Sequence, residues 1–167
     1  IKQGNRNPLL YKNVGVDGVK TGYLAVEKYS LASSMKNNDR RVIAVVSGFE
    51  TKNLRSSESL KLLNWGFRNT NTFEISKKNI SMFELETWLG EKNKIKVSSK
   101  DDYYVTINKK DISHLTISLE YDGPIKAPIK KGKQVANIIV SKKDEVIKSV
   151  PLYAAEDLKK VNFFKSL

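Results

Sequence analysis

The chain has 167 residues, enough for one domain or two small ones, and a 40% hydrophobic share with two Trp, six Phe and seven Tyr can build a core. No apolar run approaches the length of a membrane span, and the lack of Cys excludes disulfides and thiolate metal sites. The net charge of +12 is spread out: residues 1–70 carry 12 basic and 5 acidic side chains, and residues 71–167 carry 18 and 13. Lys outnumbers Arg 25 to 5 and no long basic block occurs, so the excess reads as a solvated lysine-rich surface and not as a nucleic-acid stripe. A mild attraction to anionic lipid or cell-wall polymer stays open.

The first fifteen residues, rich in Asn, Gly and Pro, read as an ordered loop. Val16–Thr21 predicts a strand, Tyr23–Lys28 a connection, Ser30–Met35 a second strand and Arg41–Gly48 a third. Asn37-Asn38-Asp39 is the turn of the hairpin. The unbroken apolar run Val42 to Val46 predicts burial on both faces. From Leu54 to Arg68 the period changes, with Leu60, Leu63 and Phe67 on one helical face and Thr51 or Asn53 available as the cap. Three strands and one helix leave a sheet face bare, so further chain is expected upstream to cover it. No signal peptide appears at the N-terminus, but the lack of an initial Met before Ile1 points the same way.

Past Asn69-Thr70-Asn71 the pattern shifts to short β segments at regular spacing, which predicts a small β-sandwich with the boundary near residue 70. Tyr103, Val105 and Ile107 alternate with polar residues, as do Leu115, Ile117 and Leu119. Gly123-Pro124 and Lys131-Gly132-Lys133 read as turns. Val135–Val140 and Val146–Val150 predict a hairpin across Lys142-Lys143-Asp144. His114, the single His, reads as a surface or strand-end residue and cannot form a metal cluster alone. Ala155–Leu167 reads as a helix whose last residues, Phe163 to Leu167, suggest docking or the start of an interfacial helix.

The stretch that points to chemistry is Val16-Asp17-Gly18-Val19-Lys20-Thr21-Gly22. A Lys-Thr-Gly tripeptide alone is weak, and its bland reading is an exposed strand end. On a strand at the lip of a cleft it gains meaning, because the backbone can pair with an extended peptide. The Lys20 ammonium and Thr21 hydroxyl can hold a carboxylate, Gly22 lets a substrate backbone come close, and the N–H of Tyr23 can point at an oxyanion.

With the segments Asn5 to Tyr11, VDGVKTG, YSLASS, RRVIAVVSGF and the helix from Arg55 to Phe67, the chain resembles the low-molecular-mass penicillin-binding proteins, which are serine D-Ala-D-Ala carboxypeptidases. The likeness runs in order through residues 5–70 and more loosely through 71–160. It implies an α+β fold: residues 1–70 as the C-terminal part of a transpeptidase-like catalytic domain, an antiparallel sheet with a packed helix, and residues 71–167 as a small β-sandwich with the start of a tail helix. It also implies that Lys20 and Thr21 bind the terminal carboxylate of a peptidoglycan stem peptide or of a β-lactam, and that Tyr23 gives the oxyanion-hole N–H. Arg55 would help recognise the carboxylate, against an ordinary surface arginine as the bland reading, and Arg6 would line the cleft. No metal or organic cofactor is implied. The location would be periplasmic, peripheral on the outer face of the inner membrane, through an amphipathic helix beyond residue 167.

Two departures from the family pattern stand beside the motif. Tyr23-Leu24 lacks the threonine that often follows, and Glu27-Lys28 replaces Ala-Gly before Tyr29. The nucleophile is the larger gap. Ser33-Ser34-Met35-Lys36 matches Ser-x-x-Lys, but on a predicted strand, whereas the motif needs a helix start that stacks lysine on serine. Ser57 and Lys61 lack the motif spacing. The expectation is that the nucleophile lies upstream and that this chain alone is inactive. Two alternatives remain: a β-lactamase relative, and a non-catalytic module that docks on cell wall or membrane.

Overall fold

The structure, a computed structural model, describes residues 4–162. The chain divides into two compact units between residues 71 and 72.

The first unit is a three-stranded antiparallel sheet in the order β1-β2-β3, with β1 at Val16–Leu24, β2 at Lys28–Asn37 and β3 at Arg40–Phe49. Tyr23–Lys28, expected as a connection, instead extends both strands, and Tyr23 stands directly across from Tyr29. The turn is confined to Ala25–Glu27, after which Lys28 adopts φ +56°. Ahead of the sheet the N-terminal segment, expected as a loop, contains a 3-10 turn at Pro8–Tyr11. Asn7 caps it by accepting from the Leu9 N–H.

Helix α1 spans Lys52–Asn69, one turn wider than its apolar pattern, because Thr51 caps the first turn through the Leu54 N–H. Its inner face is built from Leu63 and the small residues Ser56, Ser59 and Gly66, with Leu60 and Phe67 at the margins. These meet Leu31, Met35, Ala44, Val42 and Val46 of the sheet, and Leu9 and Val16 complete the core. Adding a Cβ at Gly66 would bring it 3.0 Å from Val42, so the glycine sets how closely α1 lies on β3. The apolar run of β3 is not buried on both faces. Ala44 is buried and Val42 and Val46 face the core, but Ile43 and Val45 are 62% and 75% exposed because α1 covers only one side.

The second unit holds β4 at Thr70–Ser76, β5 at Ser81–Trp88, β6 at Lys94–Ser98, β7 at Tyr103–Asn108, β8 at Leu115–Glu120, β9 at Ile125–Lys126, β10 at Gln134–Lys142 and β11 at Glu145–Ala154. A six-stranded sheet in the order β8-β10-β11-β6-β5-β9 and a two-stranded sheet β4-β7 share one core, as in a β-sandwich with unequal layers. Ile75, Phe73, Tyr103 and Val105 pack from the small sheet against Leu85, Ile95, Val97, Ile138, Val140, Val150 and Leu152 of the large one. The β10–β11 hairpin turns at Lys143, φ +54°, as its Lys-Lys-Asp sequence predicts. His114 ends a 3-10 turn at Lys109–His114 just before β8 and is exposed.

The tail is not helical over residues 155–162. Leu158 exchanges backbone hydrogen bonds with Ile129 in both directions and is 1% exposed, so an extended segment carries that apolar residue into the core. Phe163 to Leu167 lie outside the described residues. Among the described residues no helix is long and apolar enough to cross a membrane.

Candidate functional site

The motif strand β1 is an edge strand, paired on one side with β2. Alternate backbone groups along it therefore face open space, the arrangement that accepts an added extended peptide. The register fixes the side chains. Val19, Thr21 and Tyr23 lie across from Ser33, Leu31 and Tyr29 and share the sheet face that α1 covers. Lys20 and Gly22 lie across from Ala32 and Ser30 on the opposite face.

A cleft of about 730 Å³ runs along this edge within the first unit. Lys20, Thr21, Gly22 and Tyr23 border it from β1, Arg6 from the N-terminal loop, and Arg55 with Lys52 from the start of α1. All six residues singled out from the sequence thus meet in one place. The lining includes four cations and no Asp or Glu. Such a surface attracts anions and repels none of them through its own carboxylates.

Arg55 is the unusual member. It is 4% exposed, it has no carboxylate partner among the described residues, and its Nε is buried without a hydrogen bond. One guanidinium nitrogen donates to the Arg6 carbonyl at 3.4 Å, and the group lies 5.8 Å from the centroid of the Tyr29 ring. Burial pulls its pKa below the ordinary arginine value, with the nearby Tyr29 opposing that shift. Even so, an arginine stays protonated at neutral pH. Leaving a buried cation without an anion is costly, and a bound carboxylate would relieve that cost.

Lys20 is exposed, and its ammonium donates to the Thr21 carbonyl at 3.4 Å. Gly22 has a reason inside the protein: a Cβ there would come 2.3 Å from the Ser30 hydroxyl oxygen, so any side chain must displace Ser30. Tyr23 and Tyr29 stack across the strand pair with ring centroids 4.7 Å apart, which extends the aromatic wall beneath Arg55.

Three residues that help build the cleft carried no site assignment in the sequence. Lys52 and Tyr29 border it directly. Asn7 is fully buried; its Nδ2 donates to the Gly18 carbonyl at 3.2 Å and its Oδ1 accepts from Leu9, which pins the loop bearing Arg6 onto the motif strand. Counting cross-strand partners from Tyr23 would have found Tyr29. Lys52 and Asn7 left no periodic signal.

Asp17, just ahead of the motif, lies outside the cleft. It pairs with Arg41 at 2.7 Å, and this hydrogen bond, followed by the Ser34 hydroxyl, holds its carboxyl below the usual value. Ser33 is fully buried on β2 and donates to the Ala44 carbonyl, while Lys36 is exposed near the strand end. The pair has no helical stacking and is not a nucleophile with its base.

Residues 71–160, more than half the chain, match the family model for the C-terminal domain of penicillin-binding protein 5, and residues 1–51 match that for D-alanyl-D-alanine carboxypeptidase. The chain is 35% identical to the D-alanyl-D-alanine carboxypeptidase DacA of Haemophilus influenzae over 100% of its own length and 43% of that protein's. It is 36% identical to DacC of Escherichia coli, over 98% and 42%. Among solved structures it superposes on penicillin-binding protein 5 from Haemophilus influenzae with a TM-score of 0.83 at 34% identity, covering 96% of this chain and 47% of that one. A D-alanyl-D-alanine carboxypeptidase DacD from Francisella tularensis gives a TM-score of 0.66 at 32% identity, covering 95% and 40%. The chain therefore spans less than half the length of these relatives. With both family models matched in order, and the Lys-Thr-Gly strand in the part that matches the peptidase model, this chain belongs to the low-molecular-mass penicillin-binding protein family.

Proposed function

We propose that the protein containing this chain is a serine-type D-Ala-D-Ala carboxypeptidase that removes the terminal D-Ala from peptidoglycan stem peptides and is acylated by β-lactams. The observation that carries this reading is Arg55, a buried guanidinium without an acidic partner, in a cleft whose lining is cationic and bordered by an open strand edge.

In this reading the stem peptide lies along β1 as an added strand. Its terminal carboxylate is held by Thr21 and Arg55, with Lys20 and Arg6 adding to the positive field. A serine outside these 167 residues attacks the penultimate D-Ala carbonyl. The Tyr23 N–H stabilises the oxyanion, collapse releases D-Ala, and water hydrolyses the acyl-enzyme. Gly22 keeps the strand free of a side chain where the peptide passes. The step requires no metal or organic cofactor.

Residues 1–70 are assigned to the catalytic domain and residues 71–167 to a separate β-rich domain. The names of the relatives, D-alanyl-D-alanine carboxypeptidases, support a cell-wall setting, and the periplasm is the location this reading implies. Peripheral attachment to the inner membrane through a helix beyond residue 167 completes the proposal; detergent, but not a salt wash, would then release the complete protein from membranes.

The test is covalent labelling of the complete protein by a fluorescent penicillin. The reading predicts one labelled band, competed by unlabelled β-lactam and lost when the upstream Ser-x-x-Lys serine becomes Ala. A complete protein that folds and takes no label would refute it.

A further inference from the structure

The two edges of the large sheet in the second unit are built differently. At one edge β9 is only two residues long, contains Lys126, and sits between Pro124 and Pro128. Shortness, a lysine and flanking prolines are the usual protections against further strand pairing. At the other edge β8, Leu115-Thr116-Ile117-Ser118-Leu119-Glu120, has none of them. It pairs with β10 through six consecutive residues without a bulge, and it has no Pro and no Lys.

Ile117 marks the edge as incomplete. It lies across from Val140, which is fully buried, so its side chain belongs to the core face of the sheet. Leu115 and Leu119, two residues to either side, pack against that core. Ile117 is nevertheless 59% exposed. Among the described residues, nothing continues the sheet past this strand.

The sequence of β8 is complementary to itself. Paired antiparallel about a two-fold axis at Ile117, the strand sets Ile117 against Ile117 of the second copy, Leu115 against Leu119, and Thr116 against Ser118. Apolar side chains then meet on the core face and hydroxyl groups on the other. The ends match as well, with His114 opposite Glu120. A parallel arrangement would set like charges together.

We propose that two copies of the protein associate through β8, forming one continuous antiparallel sheet across a two-fold axis. The contact is one strand wide, well below the ~1,600 Å² of a standard interface, so association falls in the range of about 10–100 µM.

The experiment uses the complete protein. This chain contributes no Cys, so Ile117→Cys places a defined thiol on the two-fold axis, and Val146→Cys, at a residue 58% exposed on β11, is the control. Directly opposed strand residues lie about 4.5–5.5 Å apart, within disulfide reach. The proposal predicts a disulfide-linked dimer for Ile117→Cys and little for Val146→Cys, and concentration-dependent dimerisation of the unmodified protein in sedimentation velocity. Ile117→Lys should abolish that dimer, and Glu120→Lys should weaken it by about five-fold through two symmetric pairs. A protein that remains monomeric up to about 500 µM, or equal cross-linking at both cysteines, overturns the proposal. If Ile117→Lys fails to fold in a thermal melt, the two cysteine variants decide.

Discussion

The guanidinium of Arg55 lies over the ring of Tyr29, 5.8 Å from its centroid, and Tyr29 in turn stacks on Tyr23 from the motif strand. An arginine from the helix start is therefore seated on the hairpin that carries Lys-Thr-Gly. This seat replaces the carboxylate that would ordinarily accompany a buried arginine, and it leaves the charge available to a ligand. If the ring is what matters, Tyr29→Phe should keep penicillin acylation of the complete protein within about two-fold. Tyr29→Leu should lower it about three- to ten-fold, the worth of a partly desolvated cation–π contact. Stopped-flow acylation rates for the two variants make the comparison.

Gly66 faces Val42 where α1 crosses β3. Gly66→Ala gains roughly 1 kcal/mol of helix propensity but drives a methyl group against a stiff β-branched side chain, at a cost of about 1–3 kcal/mol. Net destabilisation is expected. Adding Val42→Ala should make the alanine at position 66 favourable, so denaturant titration of the double-mutant cycle should show a coupling of about 1 kcal/mol or more.

The ion pair of Asp17 with Arg41 predicts a pH dependence. The hydrogen bond from Arg41, and then that of Ser34, holds the Asp17 carboxyl below its ordinary value of 3.8. A carboxyl depressed in the folded state stabilises the protein above its unfolded pKa, and that contribution fades as pH falls through the folded value. Both partners are nearly half exposed, so the effect is small. Asp17→Asn should melt slightly below the wild type at pH 7, and the two melting temperatures should converge as the pH falls through the depressed folded-state value of Asp17. A difference that persists unchanged at the acid end would assign it to something other than the ionised carboxylate.

Much of the first unit was legible because its signals are local. The Asn-Asn-Asp turn fixed the β2–β3 hairpin, and Thr51 capped the helix from its side-chain chemistry alone. The Lys-Thr-Gly strand borders the cleft where the residues named from the sequence come together. What the sequence hid was tertiary. Arginine is usually exposed, so apart from the family resemblance no local signal marked Arg55 as a buried residue. An apolar run cannot say which of its faces a neighbour covers, so Ile43 and Val45 were expected to be buried and are not. Residues 155–167 were expected to be helical, but Leu158 exchanges backbone hydrogen bonds with Ile129, nearly thirty residues away in sequence, and residues 155–162 form no helix. Such long-range pairing leaves no periodic trace.

On the proposed function, Arg55 reads the carboxylate at the end of the substrate. The most direct measurement compares hydrolysis by the complete protein of an acyl-D-Ala-D-Ala peptide with that of the same peptide amidated at its C-terminus, in the wild type, Arg55→Lys and Arg55→Ala. The wild type should favour the free carboxylate strongly, and Arg55→Ala should lose about 10–100-fold of that preference, the worth of a charge-assisted hydrogen bond. Arg55→Lys should fall between them. If Arg55→Ala folds, retains activity and discriminates carboxylate from amide as well as the wild type does, the assignment of this cleft to carboxylate recognition through Arg55 is wrong.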